Sequence, residues 1–291
     1  MHKLIKKITA NNGGVFTGNG TNTYLIGYDD ITLIDPGPND TDHIDKILAL
    51  GGDKIKRILV THTHTDHSPA ALPISKKLNI PMFGRLVDRD SEWEDETFVP
   101  DTVLSHGDTI STNEYTLETI HTPGHASNHL CFYLKDQKCL LTGDHIMDGS
   151  TVVIAPPDGN MTAYIESLKL LESYDIDYFA PGHGEFMQEP SKTIQSIIRH
   201  RLSRESKVLR CIENNKDQDI DELLLSVYDD VPDILHPIAR MSLLAHLIKL
   251  EGDRKILQTD NTYSLSVWSS SSVLSILISS LNFFSSFLFF K

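Results

Sequence analysis

In the first half of the chain, short apolar, β-branched runs alternate with stretches of helical periodicity. TYLIG (23–27), ITLIDPG (31–37) and KIKRILVTH (54–62) read as strands, with HIDKILAL (43–50) and ALPISKKL (71–78) as helices between and after them. That alternation predicts layered α/β structure. Beyond an acidic, tryptophan-containing loop at SEWEDE (91–96), the runs TVLSHG, YTLETIHT, HLCFYL and KCLLTGDHI are joined by connections too short for helical crossovers, so they should pair largely antiparallel. Helix MTAYIESLKLLESY (161–174) carries Ile165, Leu168 and Leu171 on one face and leads into a strand at DYFAPGHG (177–184).

From Ser191 the pattern turns helical. Ile194, Ile198, Leu202 and Leu209 share a face of one long helix, DIDELLLSVY and LHPIARMSLLAHLIKLEG give two more, and Asp219 or Asp221 is placed to cap the second. RKILQTDNTYSLSV then reads as two strands about a TDN turn. Three helices and a hairpin suggest a winged-helix-like unit over 191–265, following an α/β catalytic domain over 1–190. Residues 266–291 are Ser/Phe-rich; they read either as a weakly membrane-associating tail or as a disordered extension.

Acidic residues outnumber basic ones 40 to 26, a net charge of −14, which argues against a broadly basic nucleic-acid-coating surface; DNA is not an expected partner. Three cysteines without a CxxC spacing give neither a disulfide framework nor a cysteine-rich metal site, and the basic N-terminus lacks an apolar stretch of signal-peptide length. A cytoplasmic protein is expected.

The chemistry concentrates in THTHTDHS (61–68), where His62, His64, Asp66 and His67 follow directly on a strand. Imidazole and carboxylate are good ligands for a divalent cation, and alternate positions on an extended segment point the same way. Crowding so many titratable groups without a cation would leave costly buried polar atoms. His125 in HTPGH, Asp144 in LLTGDH and His183 in FAPGHG each sit beside a glycine just past an apolar strand, where α/β folds build sites. Asn22, Asn128, His145, Ser150 and Thr151 belong to or adjoin these motifs and are candidate substrate contacts. The remaining histidines, among them His106, His121, His200, His236 and His246, are expected to face solvent or to be hydrogen-bonded structural residues.

Asp35 in LIDPG, the cluster at 62–67, His125, Asp144 and His183 follow the order of the five motifs of the metallo-β-lactamase superfamily, which the chain resembles. FTGNGTNTYLIG, HTPGHASNH, GDHIMDGSTVVIAPPDG and the helical C-terminal segment bring it nearer the beta-lactamase-like protein 2 group; the similarity runs from about residue 15 to 258 and does not reach the tail. The resemblance implies an αββα sandwich of two mixed sheets flanked by helices, and two zinc ions. It implies that His62, His64 and His125 hold one ion, that Asp66, His67 and His183 hold the other, and that Asp144 bridges them. It further implies that Asp35 orients the ligands; Asp66, besides ligating metal, is the candidate for orienting a metal-bound hydroxide and shuttling its proton.

Three activities fit that implied site. One is cleavage of single-stranded RNA, as the resemblance to the beta-lactamase-like protein 2 group implies, with Arg199, Arg201, Arg204, Lys207 and Arg210 of the basic helix HRLSRESKVLR tracking phosphates. A second is thioester or ester hydrolysis, as in the similar glyoxalase II and acyl-carrier-protein thioesterases. A third is an iron-dependent persulfide dioxygenase; a histidine at 64, where flavodiiron sites use glutamate, favours zinc without excluding mononuclear iron. No Gly-x-Ser-x-Gly elbow is present, and β-lactam hydrolysis is not expected without export.

Overall fold

The alternation of side chains along the early strands builds two cores at once. In β2 (Asn22–Ile26), Tyr24 and Ile26 face one way and Leu25 the other. The computed structural model describes residues 4–88, 93–215 and 217–266. In it β1 (Ile5–Thr9), β2, β3 (Ile31–Ile34), β4 (Ile55–Leu59), β5 (Met82–Gly84) and β6 (Thr102–Val103) form one six-stranded sheet in sequence order. The first pairings are antiparallel and those from β3 onward are parallel, with α1 (Thr41–Gly51) and α2 (Ala71–Leu78) supplying the crossovers from β3 to β4 and from β4 to β5.

The second six-stranded sheet runs β12-β11-β10-β9-β8-β7, from β7 (Thr109–Ser111), β8 (Thr116–His121), β9 (Leu130–Leu134), β10 (Cys139–Gly143), β11 (Tyr178–Pro181) and β12 (Met187–Gln188). β7 to β10 pair antiparallel, as their short connections require; β10 and β11 are parallel across α3 (Met161–Leu171). Tyr24, Ile26, Ile34 and Leu59 of the first sheet meet Leu117, Phe132, Leu134 and Leu141 of the second in one buried core. The opposite face of the first sheet, with Leu25, Leu33 and Ile58, packs on Ile47 of α1 and Ile74 of α2. Two mixed sheets with helices outside them are the architecture the resemblance implied.

The chain divides into two compact units after Arg199, within α4 (Pro190–Asn214). The second unit holds α5 (Ile220–Val227), α6 (His236–Gly252) and the hairpin β13 (Ile256–Thr259) and β14 (Thr262–Leu265), a winged-helix arrangement. Asp219 caps α5, with Glu222 reaching back to complete a capping box. Asp260 and Asn261 both take positive φ, 48° and 67°, in the hairpin turn, a conformation that Asp and Asn tolerate. Val208, Ile212, Leu223, Leu243, Leu247 and Ile256 form its core. Among the described residues no helix is long and apolar enough to cross a membrane; the Ser/Phe-rich tail after Ser266 lies outside them.

Candidate metal centre

Strand direction decides where the chemistry gathers. β4, β8, β10 and β11 deliver their C-terminal ends to the same rim, and the loops that follow carry His62–His67, His125, Asp144 and His183 respectively. Ligand atoms there fall into three overlapping groups whose members lie within 4.8 Å of one another: His62, His64 and His125; His62, His67 and Asp144; Asp66, His67 and His183. Gly182 makes the convergence sterically feasible, since a Cβ there would stand 2.5 Å from Asp144 Oδ1 and 2.9 Å from His67 Cε1.

The outer ring nitrogens fix the tautomers. Asp35, buried behind the cluster, accepts from Thr61 N (2.7 Å) and Thr61 Oγ1 (2.8 Å), and its Oδ2 meets His67 Nδ1 at 3.0 Å. A carboxylate only accepts, so His67 carries its proton on Nδ1 and turns Nε2 inward. The Thr61 hydroxyl proton is committed to Asp35, hence His62 Nδ1, 3.0 Å from that oxygen, is the donor and His62 Nε2 faces in. Backbone carbonyls do the same for His125, whose Nδ1 is 2.7 Å from Val153 O, and for His183, whose Nδ1 is 3.1 Å from Gly20 O.

The inward groups therefore crowd against one another. His62 Nε2 and His125 Nε2 lie 3.0 and 3.1 Å from His64 Nδ1, and the proton position on His64 decides whether a hydrogen bond or two facing lone pairs results. His67 Nε2 and Asp144 Oδ1 are buried without a hydrogen-bond partner, 3.3 Å apart. His183 Nε2 is 3.3 Å from both Asp66 Oδ2 and Asp144 Oδ1. Burial presses on His62, His64, His67 and His183. It takes His62 well below the usual imidazole range and His64 down to about 3, with neighbouring imidazoles pushing the same way. For His67 burial is outweighed by Asp66, Asp144 and Asp35, which raise it well above that range; for His183 Asp144 and Asp66 outweigh burial and raise it to about 10. Electrostatically the cluster demands positive charge between its carboxylates and imidazoles, and a nitrogen- and oxygen-donor set of this kind fits a divalent transition metal.

Other expected site residues fall elsewhere. Asn22 is buried and spends its amide on Pro181 O and Gly184 O, with Oδ1 accepting from Thr9. Asn128 is buried and donates to Thr63 Oγ1 and Arg85 O. His145 is fully buried, its ring edge-on to Tyr164 at 5.0 Å. These three were expected as substrate contacts because they belong to or adjoin the motifs; all three side chains are buried within the fold. Ser150 and Thr151 lie exposed on the loop after Asp144.

Several contributors were not legible in advance. Thr61 transmits Asp35 to His62, and Thr21 Oγ1 donates to Asp66 Oδ2 at 2.9 Å. His129, buried in the ring pile, accepts from Asp144 N at 3.1 Å and so holds the Asp144 loop. His246 departs from the expected solvent-facing histidine: it is fully buried, with neither ring nitrogen hydrogen-bonded.

Comparison with known proteins supports the same reading. A Beta-lactamase-like protein 2 homolog of Drosophila melanogaster is 29% identical over 263 residues, covering 86% of this chain and 88% of that one. An Atrochrysone carboxyl ACP thioesterase of Aspergillus chevalieri is 28% identical over 267 residues, covering 87% and 82%. The fold matches the crystal structure of a metallo-beta-lactamase family protein from Thermus thermophilus with a TM-score of 0.75 at 18% identity, over 90% of this chain and 99% of that one. Residues 220–268 match the Beta-lactamase associated winged helix domain. Since residues 16–183, more than half the chain, match the Metallo-beta-lactamase superfamily, the chain belongs to that superfamily.

Proposed function

We propose that the chain is a cytoplasmic hydrolase that holds two zinc ions and cleaves a thioester or ester. The observation that supports this reading is the convergence of imidazole nitrogens and carboxylate oxygens, with His62, His67, His125 and His183 each turned to present Nε2 inward by an outer partner on Nδ1. His62 Nε2, His64 Nδ1 and His125 Nε2 would hold one ion, Asp66, His67 Nε2 and His183 Nε2 the other, with Asp144 between them. When bound, such ions supply Lewis acidity toward a carbonyl oxygen and make water a nucleophile near neutral pH.

The chain's own groups do the rest. Asp66 is the more solvent-accessible of the two central carboxylates, its side chain 27% exposed against 11% for Asp144. Held by Thr21 Oγ1, it is placed to take the proton of the attacking water and return it to the departing thiolate or alkoxide. Asp35 positions His67 and Thr61 and touches no reacting atom. Cys131 and Cys139 are buried and their thiols are pushed up to about 12, so neither serves as a covalent nucleophile.

Two features favour an acyl substrate over RNA. Trp93, whose carbonyl accepts from Thr65 N between His64 and Asp66, exposes its ring beside Phe16 at 6.0 Å, with exposed Val15 next to it. That apolar lip suits an acyl or aryl group. The basic helix, by contrast, has three of its five cations engaged: Arg201 is buried, Arg204 forks onto Asp230 and lies 4.3 Å from the Tyr228 ring centroid, and Lys207 pairs with Asp229 and Asp230, which leaves Arg199 and Arg210 exposed. The deciding experiment assays zinc-loaded and iron-loaded protein on aryl and acyl-carrier thioesters, single-stranded RNA and glutathione persulfide. Thioester turnover that chelation removes and zinc restores is expected. Cleavage of RNA alone, or persulfide oxidation with iron alone, would overturn the substrate class, and failure to bind any divalent metal would overturn the whole reading.

A further inference from the structure

Four of the five cluster histidines turn Nε2 inward and have Nδ1 anchored outside by Thr61, Asp35, Val153 or Gly20. His64 is reversed. Its Nδ1 faces the cluster, so Nε2 points outward and needs an acceptor of its own. The group it meets is Glu94 Oε1, at 3.6 Å.

Glu94 is held for that role. Thr65 N bonds Trp93 O at 2.9 Å and Asp95 N bonds Thr63 O at 2.6 Å, so residues 93–95 lie as an antiparallel bridge along 63–65 with Glu94 opposite His64. Its Oε2 accepts from Thr63 Oγ1, which is fixed by Asn128 Nδ2 at 2.6 Å. Its Oε1 is buried and has no hydrogen-bond partner. An orphaned carboxylate oxygen aimed at the outer nitrogen of a cluster imidazole has one economical use.

Building on the metal-site reading above, we infer that Glu94 is a positioning residue that holds His64 with its proton on Nε2 and so presents the Nδ1 lone pair to the metal. The competing state is real. With the proton on Nδ1, His64 would donate to His62 Nε2 or His125 Nε2 and close the cluster to a cation. Glu94 makes the open tautomer the favoured one, and the buried amide of Asn128 acts through Thr63 to keep it in place.

The test uses the full chain with Glu94→Ala and Glu94→Gln. Metal affinity is read by zinc competition against a chromophoric chelator, and the His64 ring tautomer by nitrogen NMR on protein stripped of metal. Expected are an Nε2–H tautomer in the wild type, a shift toward Nδ1–H in Glu94→Ala, and a roughly 10–100-fold loss of affinity at one of two equivalents, the range for losing such a partner. Glu94→Gln keeps the shape and removes the charge, so its affinity falls by a smaller factor; a steric role alone would leave it at the wild-type value. Unchanged affinity and tautomer in both variants, or an Nδ1–H tautomer in the wild type, overturns the role of Glu94. A wild type that binds no metal overturns the underlying site instead, and the two failures are distinct.

Discussion

Asp35→Asn is the sharpest perturbation, because it changes almost no volume and reverses the direction of several hydrogen bonds. Asp35 Oδ1 accepts from the Thr61 backbone N–H, which cannot turn away, so the amide oxygen must keep that position. The amide nitrogen then replaces Oδ2, which faces Thr61 Oγ1 at 2.8 Å and His67 Nδ1 at 3.0 Å. Two donors now stand where there was an acceptor. His67 must accept on Nδ1 and carry its proton on Nε2, pointing into the cluster. Thr61 must accept from the amide and donate to His62 Nδ1, which moves the His62 proton to Nε2 as well.

One isosteric change thus inverts two ligands, His62 and His67, which between them belong to all three ligand groups. Loss of an outer partner typically weakens a metal site about 10–100-fold, roughly 1.4–2.8 kcal/mol, and here both equivalents should weaken. Asp35→Ala separates mechanism from fold: it leaves Thr61 N and His67 Nδ1 without acceptors, at about 1–3 kcal/mol each, and should unfold earlier in urea. Asp35→Asn should keep near-wild-type stability in metal-free protein and still bind zinc poorly in a chelator competition. If Asp35→Asn bound both equivalents with wild-type affinity, the tautomer argument would be wrong.

Asp144→Ala should abolish bound metal and turnover together, read by elemental analysis and the thioester assay, with a circular dichroism spectrum close to wild type. Gly182→Ala inserts a methyl group 2.5 Å from Asp144 Oδ1, so metal content should drop without any ligand being removed; full occupancy in the variant would contradict the packing described. In the second unit, His246 is held neutral down to about 3, by burial first and then by Arg201, Lys249 and Arg204. Its folded value lies below the unfolded 6.5, so the unfolded chain binds the extra proton between those values, and stability should decline as pH falls through that window by at most about 1.4 kcal/mol per pH unit. His246→Leu should lose that part of the slope in urea midpoints compared from pH 7 to pH 4; an identical slope would count against it.

Much of the fold was legible because its signals are local. Period-two alternation at Tyr24, Leu25 and Ile26 assigns each side chain to one of two cores, and the short connections from β7 to β10 permit only antiparallel pairing. The ligand-bearing motifs were legible for a similar reason, each following an apolar strand. What sequence could not supply was direction. Asn128 and His145 stand next to His125 and Asp144 and yet turn inward. The five cations of the basic helix look alike as a string, but Asp229 and Asp230, more than twenty residues on, engage Arg204 and Lys207.

The same limit explains why Glu94 was invisible. In SEWEDE it reads as one of several solvated acids, and only the bridge to residues 63–65 sets it apart from its neighbours. A histidine motif states which rings converge but not which nitrogen each presents; that is decided by oxygens from distant segments, Gly20 for His183 across 163 positions and Val153 for His125 across 28. A chain that kept every ligand and lost those oxygens would still score as a member of its superfamily while its rings pointed protons at one another. Metal affinity in this protein should therefore follow substitutions at Asp35, Thr61 and Glu94 as closely as substitutions among the ligands themselves.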